Sequence, residues 1–474
     1  MLPLLFLLPQ PADLGEFVLD NVSPRVDPGV FYFQGTGMNT PVQLSQRALR
    51  TADQPISYFM QQAVENPRLI SLAAGLVDAE SLPGVHVMSA VDEILSQPGF
   101  AQAALQYGTT QGLLPLREKL LARTTSLDSM SPAELSLTVD DVVVTTGSQQ
   151  LLYLLGELLL DPGDIVITEA PSYFVYQGTL NSLGARTLAV PMDDEGMNTD
   201  ALAELLARLE HSGELERVRM IYVTDYFQNP SGLTLSLPRR RHLLELARRF
   251  GKKNRIFILE DAAYRELRYD GPDLPTIKSL DADNSTVILG MTFSKPLAPG
   301  LKTGYGLLPR TLMTSLLRLK GNHDFGSNNL TQHVLDRLLD NGAYDRHVAK
   351  LCDIYRHKRD AMLTGLAEEF SASRNGSGKM HWTHPAGGLY VWLSFSPEVS
   401  TGPDSPLMRA ALEEGVLYVP GEFCYVNGDN GPVPKHEARL SFGVASAEQI
   451  REALRRLARA VRGIGISSSA VLTT

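Results

Sequence analysis

Short apolar runs alternate with longer amphipathic stretches through the middle of the chain, from about residue 141 to residue 340. The apolar runs predict buried strands at 141–146, 165–168, 185–190, 219–224, 255–261 and 286–290, and the stretches between them predict helices at 151–160, 198–209 and 237–250. This alternation is typical of a mostly parallel sheet covered by helices. We therefore predict an α/β fold whose large domain spans residues 90–340.

The rest of the chain predicts a smaller α+β domain assembled from residues 38–89 and 341–474. Its strands are predicted at 384–393, 415–423 and 437–443, and further helices at 42–65 (interrupted by Pro55), 85–95, 312–320, 330–340, 344–369 and 446–461. Ser446 and Gln449 have the spacing of a capping box at the start of the last helix. For residues 1–37 we predict either a disordered extension or a segment that arises from assigning the start codon too far upstream.

Composition excludes several classes of function. A formal net charge of −10 argues against a nucleic-acid surface, which needs clustered Lys and Arg. No segment approaches the ~20 apolar residues that span a bilayer, so we expect no membrane contact. The two cysteines, Cys352 and Cys424, lack metal-ligand spacing, so we expect reduced thiols, no metal and a cytoplasmic location.

A lysine after the predicted strand 286–290 is the first candidate for chemistry. The loop that follows is made of small, hydroxyl and proline residues, and Lys295 is its only cation before Pro296. A lysine buried among apolar neighbours loses hydration, which lowers its pKa and frees an amine that can attack a carbonyl. The alternative is a solvated loop lysine. The flanking residues favour the first interpretation.

Two strand ends carry further polar groups. Gly147, Ser148 and Gln149 form the turn between a strand and a helix, where backbone N–H groups and the helix dipole favour an anion such as phosphate. Glu260 and Asp261 end another apolar strand, a place where α/β enzymes put chemistry. A helix N-cap is the alternative for Asp261, and Glu260 is expected to support the site from behind or to face solvent.

Ser/Thr-x-x-Lys followed by Pro-Gly-Leu-(basic)-x-Gly resembles the Schiff-base segment of pyridoxal-phosphate enzymes of fold type I, in the aminotransferase class I/II family. The resemblance implies that Lys295 carries pyridoxal 5′-phosphate, with Thr292 and Ser294 near its phosphate. Lys302 stands where the family usually has an arginine. Because lysine supplies charge without the planar fork, we expect weaker phosphate anchoring.

Other motifs, in the same order along the chain as in the family, extend the resemblance over about residues 38–462. For the cofactor, it implies that Tyr173 stacks on the pyridine ring, Asp261 pairs with the pyridine nitrogen, and Asn229 and Tyr264 reach the phenolic oxygen, with Asn229 as a donor. For the substrate, it implies that Gly75 lies near the carboxylate and that Arg439 binds the α-carboxylate. It also implies that Tyr107 reaches the cofactor phosphate of a second subunit. Four alternatives stay open: Gly75 as a turn glycine with positive φ, Tyr107 and Tyr173 as packed aromatics, and Arg439 as a surface ion pair. Asp225 stands where relatives often have proline.

The family resemblance implies transamination between an L-amino acid and a 2-oxo acid by a homodimer with shared active sites. The pattern is most similar to the broad-specificity branch that includes aminoadipate, kynurenine and aromatic aminotransferases. A lyase or decarboxylase on the same scaffold is the first alternative. An effector-sensing domain is the second alternative. Such regulators carry a basic winged-helix domain upstream, and the short, apolar, Pro-rich N-terminal stretch of this sequence predicts none, so we favour this alternative less.

Overall fold

The computed structural model describes residues 42–52, 62, 65–66, 68–370, 380–426 and 431–464. The chain divides into two compact units, Met1–Leu49 and Arg50–Thr474. The described part of the first unit carries most of helix α1, Gln46–Arg50. The extension predicted at 1–37 and much of the helix predicted over 42–65 lie outside the described residues.

The second unit contains an eight-stranded sheet in the order β2-β9-β8-β7-β6-β3-β4-β5. Its strands are β2 (Val142–Thr145), β3 (Ile165–Ala170), β4 (Arg186–Asp193), β5 (Gly196–Met197), β6 (Val218–Val223), β7 (Phe257–Asp261), β8 (Val287–Thr292) and β9 (Gly304–Leu307). The inner pairs β4-β3, β3-β6, β6-β7 and β7-β8 are parallel, whereas β9 is antiparallel to both β8 and β2, and β5 to β4. The α/β class and the mostly parallel sheet are confirmed.

Helices pack around this sheet, some directly on its strands and others on neighbouring helices. They are α2 (Gly84–Leu95), α3 (Pro98–Leu105), α4 (Leu114–Leu127), α5 (Gly147–Leu159), α6 (Phe174–Leu183), α7 (Thr199–Ser212), α8 (Leu237–Phe250), α9 (Ile277–Leu280), α10 (Arg310–His323) and α11 (Asn329–Asp340). The Asn198 side chain accepts from the backbone N–H groups of Asp200 and Ala201, which starts α7 one residue later than predicted. Apolar side chains such as Leu206 on α7 and Leu243 on α8 are fully buried with the strand residue Ile221.

A four-stranded sheet, β10-β11-β14-β13, forms from the last third of the chain. Its strands are β10 (His381–Trp382), β11 (Tyr390–Ser394), β13 (Val419–Pro420) and β14 (Glu437–Ser441), while β1 (Ile70–Ser71) pairs in parallel with β12 (Val416–Leu417). The long helix α12 (Ala343–Phe370), α13 (Pro406–Glu413) and α14 (Ala447–Gly463) pack around it. The capping box of Ser446 and Gln449 is present at the start of α14.

The strand predicted at 384–393 is too long. The structure starts β11 only at Tyr390, because Gly388 adopts a positive φ of 70° that breaks the extended backbone. The boundaries predicted between the two domains, after residues 89 and 340, stay a prediction. Among the described residues, no helix is both long enough and apolar enough to cross a membrane.

The parallel strands bring their carboxyl ends to one edge of the large sheet. Tyr173 follows β3, Asn229 follows β6, Asp261 ends β7 and Lys295 follows β8. Parallel strands that neighbour one another must deliver their following loops to the same edge. Motifs that are far apart in sequence therefore converge there.

Candidate active site

One cavity at this edge is lined by every sequence-predicted site residue except Tyr107. Its lining consists of Gly75, Leu76, Thr146, Gly147, Ser148, Gln149, Tyr173, Phe174, Val175, Tyr222, Thr224, Asn229, Asp261, Ala263, Tyr264, Thr292, Ser294, Lys295, Lys302, Tyr390 and Arg439. Among the described residues, no group of three or more His, Cys, Asp or Glu side chains is placed to hold a metal ion. The cavity combines cationic, anionic and aromatic groups.

Lys295 enters the cavity from the loop after β8. The lysine is half-buried, and its Nζ donates a hydrogen bond to the Gly75 carbonyl at 2.8 Å. Thr292 donates through Oγ1 to Ser294 Oγ at 3.0 Å, and the Ser294 N–H donates to Thr292 Oγ1 at 3.2 Å. This hydroxyl pair fixes the turn that carries the lysine. The amine is thus held inside the cavity by a single backbone carbonyl, and it has no carboxylate partner among the ion pairs of the described residues.

The first turn of α5 forms one wall of the cavity. Gly147 has a positive φ of 72°, a conformation that glycine adopts without the strain of a side chain, and it begins the helix directly after Thr146. Among the described residues no side chain caps this helix, so its first N–H groups lack a capping partner, and Gly147, Ser148 and Gln149 of the same turn line the cavity. Lys302 lines the same region in a left-handed conformation, with φ 49° and ψ 41°. Uncapped N–H groups, the helix dipole and an ammonium together suit a phosphate dianion.

Asp261 is the buried acid of the site. Its carboxylate accepts a hydrogen bond from the Tyr222 hydroxyl at 2.9 Å, while its Oδ1 has no hydrogen-bond partner among the described residues. Burial raises the pKa of Asp261 to about 6, against the lowering effects of the Tyr222 hydroxyl, the Ala263 N–H and Lys295. A turn rather than a helix follows Asp261, so the N-cap alternative is wrong. The free oxygen leaves room for one donor from a bound group.

Arg439 and Asn229 are a further pair of polar residues that line the cavity. Arg439 lies on β14, is only 1% exposed, and donates to Asn229 Oδ1 and to the Ala73 carbonyl, both at 2.8 Å. Its Nε has no partner, and no acidic side chain pairs with it among the described residues. The surface ion-pair alternative is therefore wrong. A buried guanidinium without a counter-charge is suited to bind a carboxylate.

Tyr173 and Tyr264 contribute aromatic rings to the cavity. Tyr173 precedes α6 at the end of the loop after β3, and burial raises the pKa of its hydroxyl. Tyr264 is fully enclosed, and its hydroxyl lies 3.2 Å from that of Tyr390. Burial, together with the neighbouring Tyr390, also raises the pKa of Tyr264 well above its ordinary value. Both hydroxyls therefore keep their protons at neutral pH and can act as donors.

Tyr107 does not line this cavity. Its side chain is 82% exposed and contacts Phe325 edge-on, with ring centroids 5.5 Å apart. An aromatic side chain left in solvent on one chain is consistent with the predicted reach to a second subunit, which stays a prediction. The interpretation of Gly75 as a turn glycine is wrong, because Gly75 is not among the glycines with positive φ.

A group of buried charged side chains does not line the cavity. Asp225 and Arg240 form an ion pair in which both side chains are 0% exposed, and Arg240 also donates to the carbonyl oxygens of Leu235 and Pro275 at 2.9 Å. Asp225, where relatives often have proline, is thus the counter-charge of a buried arginine. Glu260 is also fully buried and accepts from the N–H groups that start α9, so the solvent-facing alternative for it is wrong.

Two tyrosines of the cavity, Tyr222 and Tyr390, were not predicted from the sequence. Tyr222 lies in the strand β6, within an apolar run where an aromatic residue is normally assigned to the hydrophobic core. Tyr390 lies at the start of β11, after the pair Gly387–Gly388. The only sequence signal for either is a hydroxyl in an otherwise apolar strand.

Comparison with known proteins gives one consistent family. A sequence model described as "Aminotransferase class I and II" matches residues 67–457. The "Aromatic-amino-acid aminotransferase 1" of Thermococcus litoralis is 36% identical over 84% of this chain and 89% of its own length. The crystal structure of Pyrococcus horikoshii kynurenine aminotransferase in complex with PMP superposes with a TM-score of 0.79 at 33% identity, covering 89% of this chain and 97% of that one. A Thermus thermophilus α-aminoadipate aminotransferase complexed with N-(5′-phosphopyridoxyl)-L-leucine superposes with a TM-score of 0.74 at 32% identity, covering 89% and 97%.

Proposed function

Because this chain belongs to the aminotransferase class I and II family, with the fold type I architecture of its structural relatives, we propose that it transfers amino groups with pyridoxal 5′-phosphate held covalently by Lys295. Its substrates are an L-amino acid and a 2-oxo acid. The observation that carries the proposal is the convergence of Lys295, the unpaired oxygen of Asp261 and the unpaired guanidinium face of Arg439 in one cavity.

The residues present fit this cofactor at each of its ends. Oδ1 of Asp261 lacks a donor among the residues that the structure describes, and a protonated pyridine nitrogen would supply one. The uncapped N-terminus of α5, the Ser294 hydroxyl and the Lys302 ammonium offer donors for the phosphate, and Thr292 orients Ser294 by donating to its hydroxyl oxygen. When bound, pyridoxal phosphate supplies an electron-accepting ring that stabilises negative charge on the substrate α-carbon.

Asp261 keeps the ring nitrogen protonated. With a pKa of about 6, the carboxyl is ionised at neutral pH, and the buried Tyr222 hydroxyl fixes its orientation. An anion at this position favours the charged form of the nitrogen that it faces. The enclosed setting excludes water from the ion pair and strengthens it.

Lys295 moves the proton in the reaction. Its Nζ hydrogen-bonds to the Gly75 carbonyl at 2.8 Å, so the amine stays in the cavity when it is not bound to the cofactor. From there Nζ accepts the proton that leaves the substrate α-carbon and later donates a proton back. An amine positioned in this way acts as a general base and then as a general acid.

Arg439 orients the substrate by its α-carboxylate. Two of its nitrogens are already fixed by Asn229 and Ala73, which holds the guanidinium plane still, and its Nε lacks a partner within the described part of the chain. A planar fork binds a carboxylate with defined geometry. The Asn229 Oδ1 accepts from Arg439, which leaves the amide NH₂ of Asn229, with no acceptor among the described residues, to donate to the cofactor phenolic oxygen.

The test combines spectroscopy with chemical trapping. Protein loaded with pyridoxal phosphate is reduced with borohydride, and peptide mass spectrometry locates the modification. We expect it on Lys295, and we expect Lys295→Ala to lack both the adduct and the yellow absorption band. Modification of another lysine, such as the buried Lys278, would sink the assignment.

Turnover assays distinguish transamination from the alternatives on this scaffold. We expect product formation only when an amino acid and a 2-oxo acid are both present. The first donors to test are those named for relatives, namely aromatic amino acids, 2-aminoadipate and kynurenine. Release of ammonia or carbon dioxide without an oxo acid would instead indicate a lyase or a decarboxylase.

We further propose a homodimer with shared active sites. Exposed apolar side chains are concentrated between residues 76 and 114, together with Phe325. They are Leu76, Leu82, Val85, Met88, Leu95, Phe100, Leu105, Tyr107 and Leu114. If each site uses Lys295 of one chain and Tyr107 of the other, a dimer of one Lys295→Ala chain and one Tyr107→Ala chain keeps both residues in one of its two sites. We therefore expect that mixing the two inactive variants restores activity. A monomer in sedimentation, or no recovery on mixing, would contradict the shared site.

A further inference from the structure

Tyr390 is a cavity residue that contacts both Arg439 and Tyr264. Its side chain is 1% exposed, and its ring lies 4.4 Å from the guanidinium carbon of Arg439. The same ring packs edge-on against Tyr264, with centroids 5.8 Å apart, and the two hydroxyls are 3.2 Å apart. One side chain thus contacts both the proposed carboxylate site and the proposed phenolic-oxygen site.

The Tyr390 hydroxyl also explains why residue 75 is glycine. A Cβ built on Gly75 would lie 2.6 Å from the Tyr390 hydroxyl oxygen, closer than real Cβ atoms come to a neighbour, and 3.7 Å from the next ring carbon. Since Gly75 has no positive φ, close approach and not backbone conformation demands the glycine. The carbonyl of the same residue accepts from Lys295 Nζ. The hydroxyl therefore lies against the backbone unit that holds the lysine.

We propose that Tyr390 is a positioning residue whose hydroxyl and ring have separate tasks. The hydroxyl aligns Tyr264 and the Gly75 backbone, and through them the cofactor phenolic oxygen and the Lys295 amine. The ring orients Arg439 by a cation–π contact. This inference rests on the proposed function, because it concerns the residues that would hold the cofactor and the substrate.

The chemistry of the hydroxyl pair gives the direction of the effect. When Tyr390 donates to the Tyr264 oxygen, the Tyr264 proton is left to donate to the phenolic oxygen. Donors that stabilise negative charge on the phenolic oxygen weaken the attraction between this oxygen and the proton on the neighbouring lysine nitrogen. The lysine nitrogen therefore loses its proton at a lower pH. Removing the Tyr390 hydroxyl weakens this donation. The midpoint pH at which the absorption spectrum of the lysine-bound cofactor changes is therefore expected to rise.

The first experiment compares Tyr390→Phe, Tyr390→Leu and the control Tyr418→Phe. Tyr418 is also 1% exposed and loses one hydrogen bond, to the Thr401 carbonyl at 3.0 Å, but it does not line the cavity. For Tyr390→Phe we expect the spectral midpoint to rise by roughly half a pH unit, with KM for the amino acid changed less than about twofold because the ring remains. Tyr390→Leu removes the ring as well and raises KM roughly tenfold.

For Tyr418→Phe we expect a lower thermal midpoint and an unmoved spectrum. The other charged groups facing the cavity, Asp261, Lys295, Lys302 and Arg439, are the same in all these variants. Equal spectral midpoints for Tyr390→Phe and wild type would overturn the inference. So would an equal spectral shift in Tyr418→Phe, because the effect would then be a general loss of stability.

A double-mutant cycle tests the contact with Gly75 directly. In Gly75→Ala the new methyl group meets the Tyr390 oxygen, whereas in Gly75→Ala with Tyr390→Phe the nearest ring atom is at ordinary contact distance, 3.7 Å. We expect kcat/KM to fall more than about tenfold in the single variant and to recover most of that loss in the double variant. Gly75→Ala with Tyr418→Phe stays impaired. Additive losses from Gly75→Ala and Tyr390→Phe would overturn the inference.

The two levels of proposal fail in different ways. If wild-type protein forms no yellow adduct with pyridoxal phosphate, the proposed function itself is wrong. If the wild-type adduct forms normally but neither the spectral shift nor the recovery is seen, only the role of Tyr390 is wrong. Circular dichroism and the thermal midpoint establish that each variant is folded before its spectrum is compared.

Discussion

Glu169 is a buried acid whose charge the folded protein disfavours. It lies near the end of β3, is 1% exposed, and accepts through Oε2 from Gln228 Nε2 at 2.9 Å and from the Thr224 N–H at 3.1 Å. Its Oε1 has no partner among the described residues. Burial raises the pKa of Glu169 from 4.5 to about 8, despite these two donors. We predict that Glu169→Gln stabilises the protein at alkaline pH and is nearly neutral in acid.

The sign and size of this effect follow from proton linkage. Between the unfolded pKa of 4.5 and the folded pKa of about 8, the folded state binds one proton more than the unfolded state. Stability from the neutral carboxyl is thus fully present below 4.5 and is lost as the pH rises through about 8. At about 1.4 kcal/mol per pH unit, the loss between pH ~5.5 and pH ~8 is about 3 kcal/mol. Glutamine cannot ionise and avoids this loss.

The assay is equilibrium urea unfolding of both proteins at the two pH values. The prediction concerns the difference between variant and wild type, in which the other titrating groups cancel. We expect this difference to move in favour of Glu169→Gln by about 3 kcal/mol on going from the acid to the alkaline condition. Glu204→Gln, at an exposed position on α7, is the control and leaves the difference near zero. A difference that is the same at both pH values would refute the reasoning.

Three further predictions concern the cofactor site and its support. Lys302→Arg adds a planar fork at the phosphate and lowers the dissociation constant for pyridoxal phosphate roughly tenfold in an absorption titration of apoprotein; an unchanged constant would contradict this. Asp261→Asn lowers kcat by more than about 100-fold in a turnover assay, because the ring nitrogen loses the carboxylate that keeps it protonated, and a kcat within about tenfold of wild type would contradict this. Arg240→Met leaves the Asp225 carboxylate buried without its cation, and we expect urea unfolding to show a loss of about 3–5 kcal/mol; a loss below about 1 kcal/mol would mean that Asp225 is neutral in the fold.

The sheet and the polar groups at its edge could be predicted because both follow local rules. Val and Ile runs separated by amphipathic stretches leave few arrangements other than a parallel sheet. Once the strands are parallel, the polar residues after β6, β7 and β8 must lie near one another, as Asn229, Asp261 and Lys295 do. Helix α8 has the predicted bounds, Leu237–Phe250, because Pro238 fixes its start and Gly251 follows its end.

What could not be predicted depends on contacts between distant segments. Tyr390 meets Tyr264 across 126 residues, and nothing in an apolar strand marks which aromatic hydroxyl will find a partner. The role of Asp225 is to pair with Arg240, and the burial of Arg240 depends on the packing of α8 against the sheet. The sequence pattern suggested that Lys295 is buried among apolar neighbours, whereas in the structure it is half-buried and its Nζ donates to the Gly75 carbonyl.

Arg439 carries a buried guanidinium that has no acidic side chain paired with it among the described residues. A buried positive charge without an anion destabilises the surrounding structure, so any small carboxylate that reaches it relieves the same deficit. Acetate, formate and similar buffer ions are then competitors of the amino acid and, at the same time, protective solutes that raise the unfolding temperature. The chain would be least resistant to heat in buffers that contain no organic acid at all.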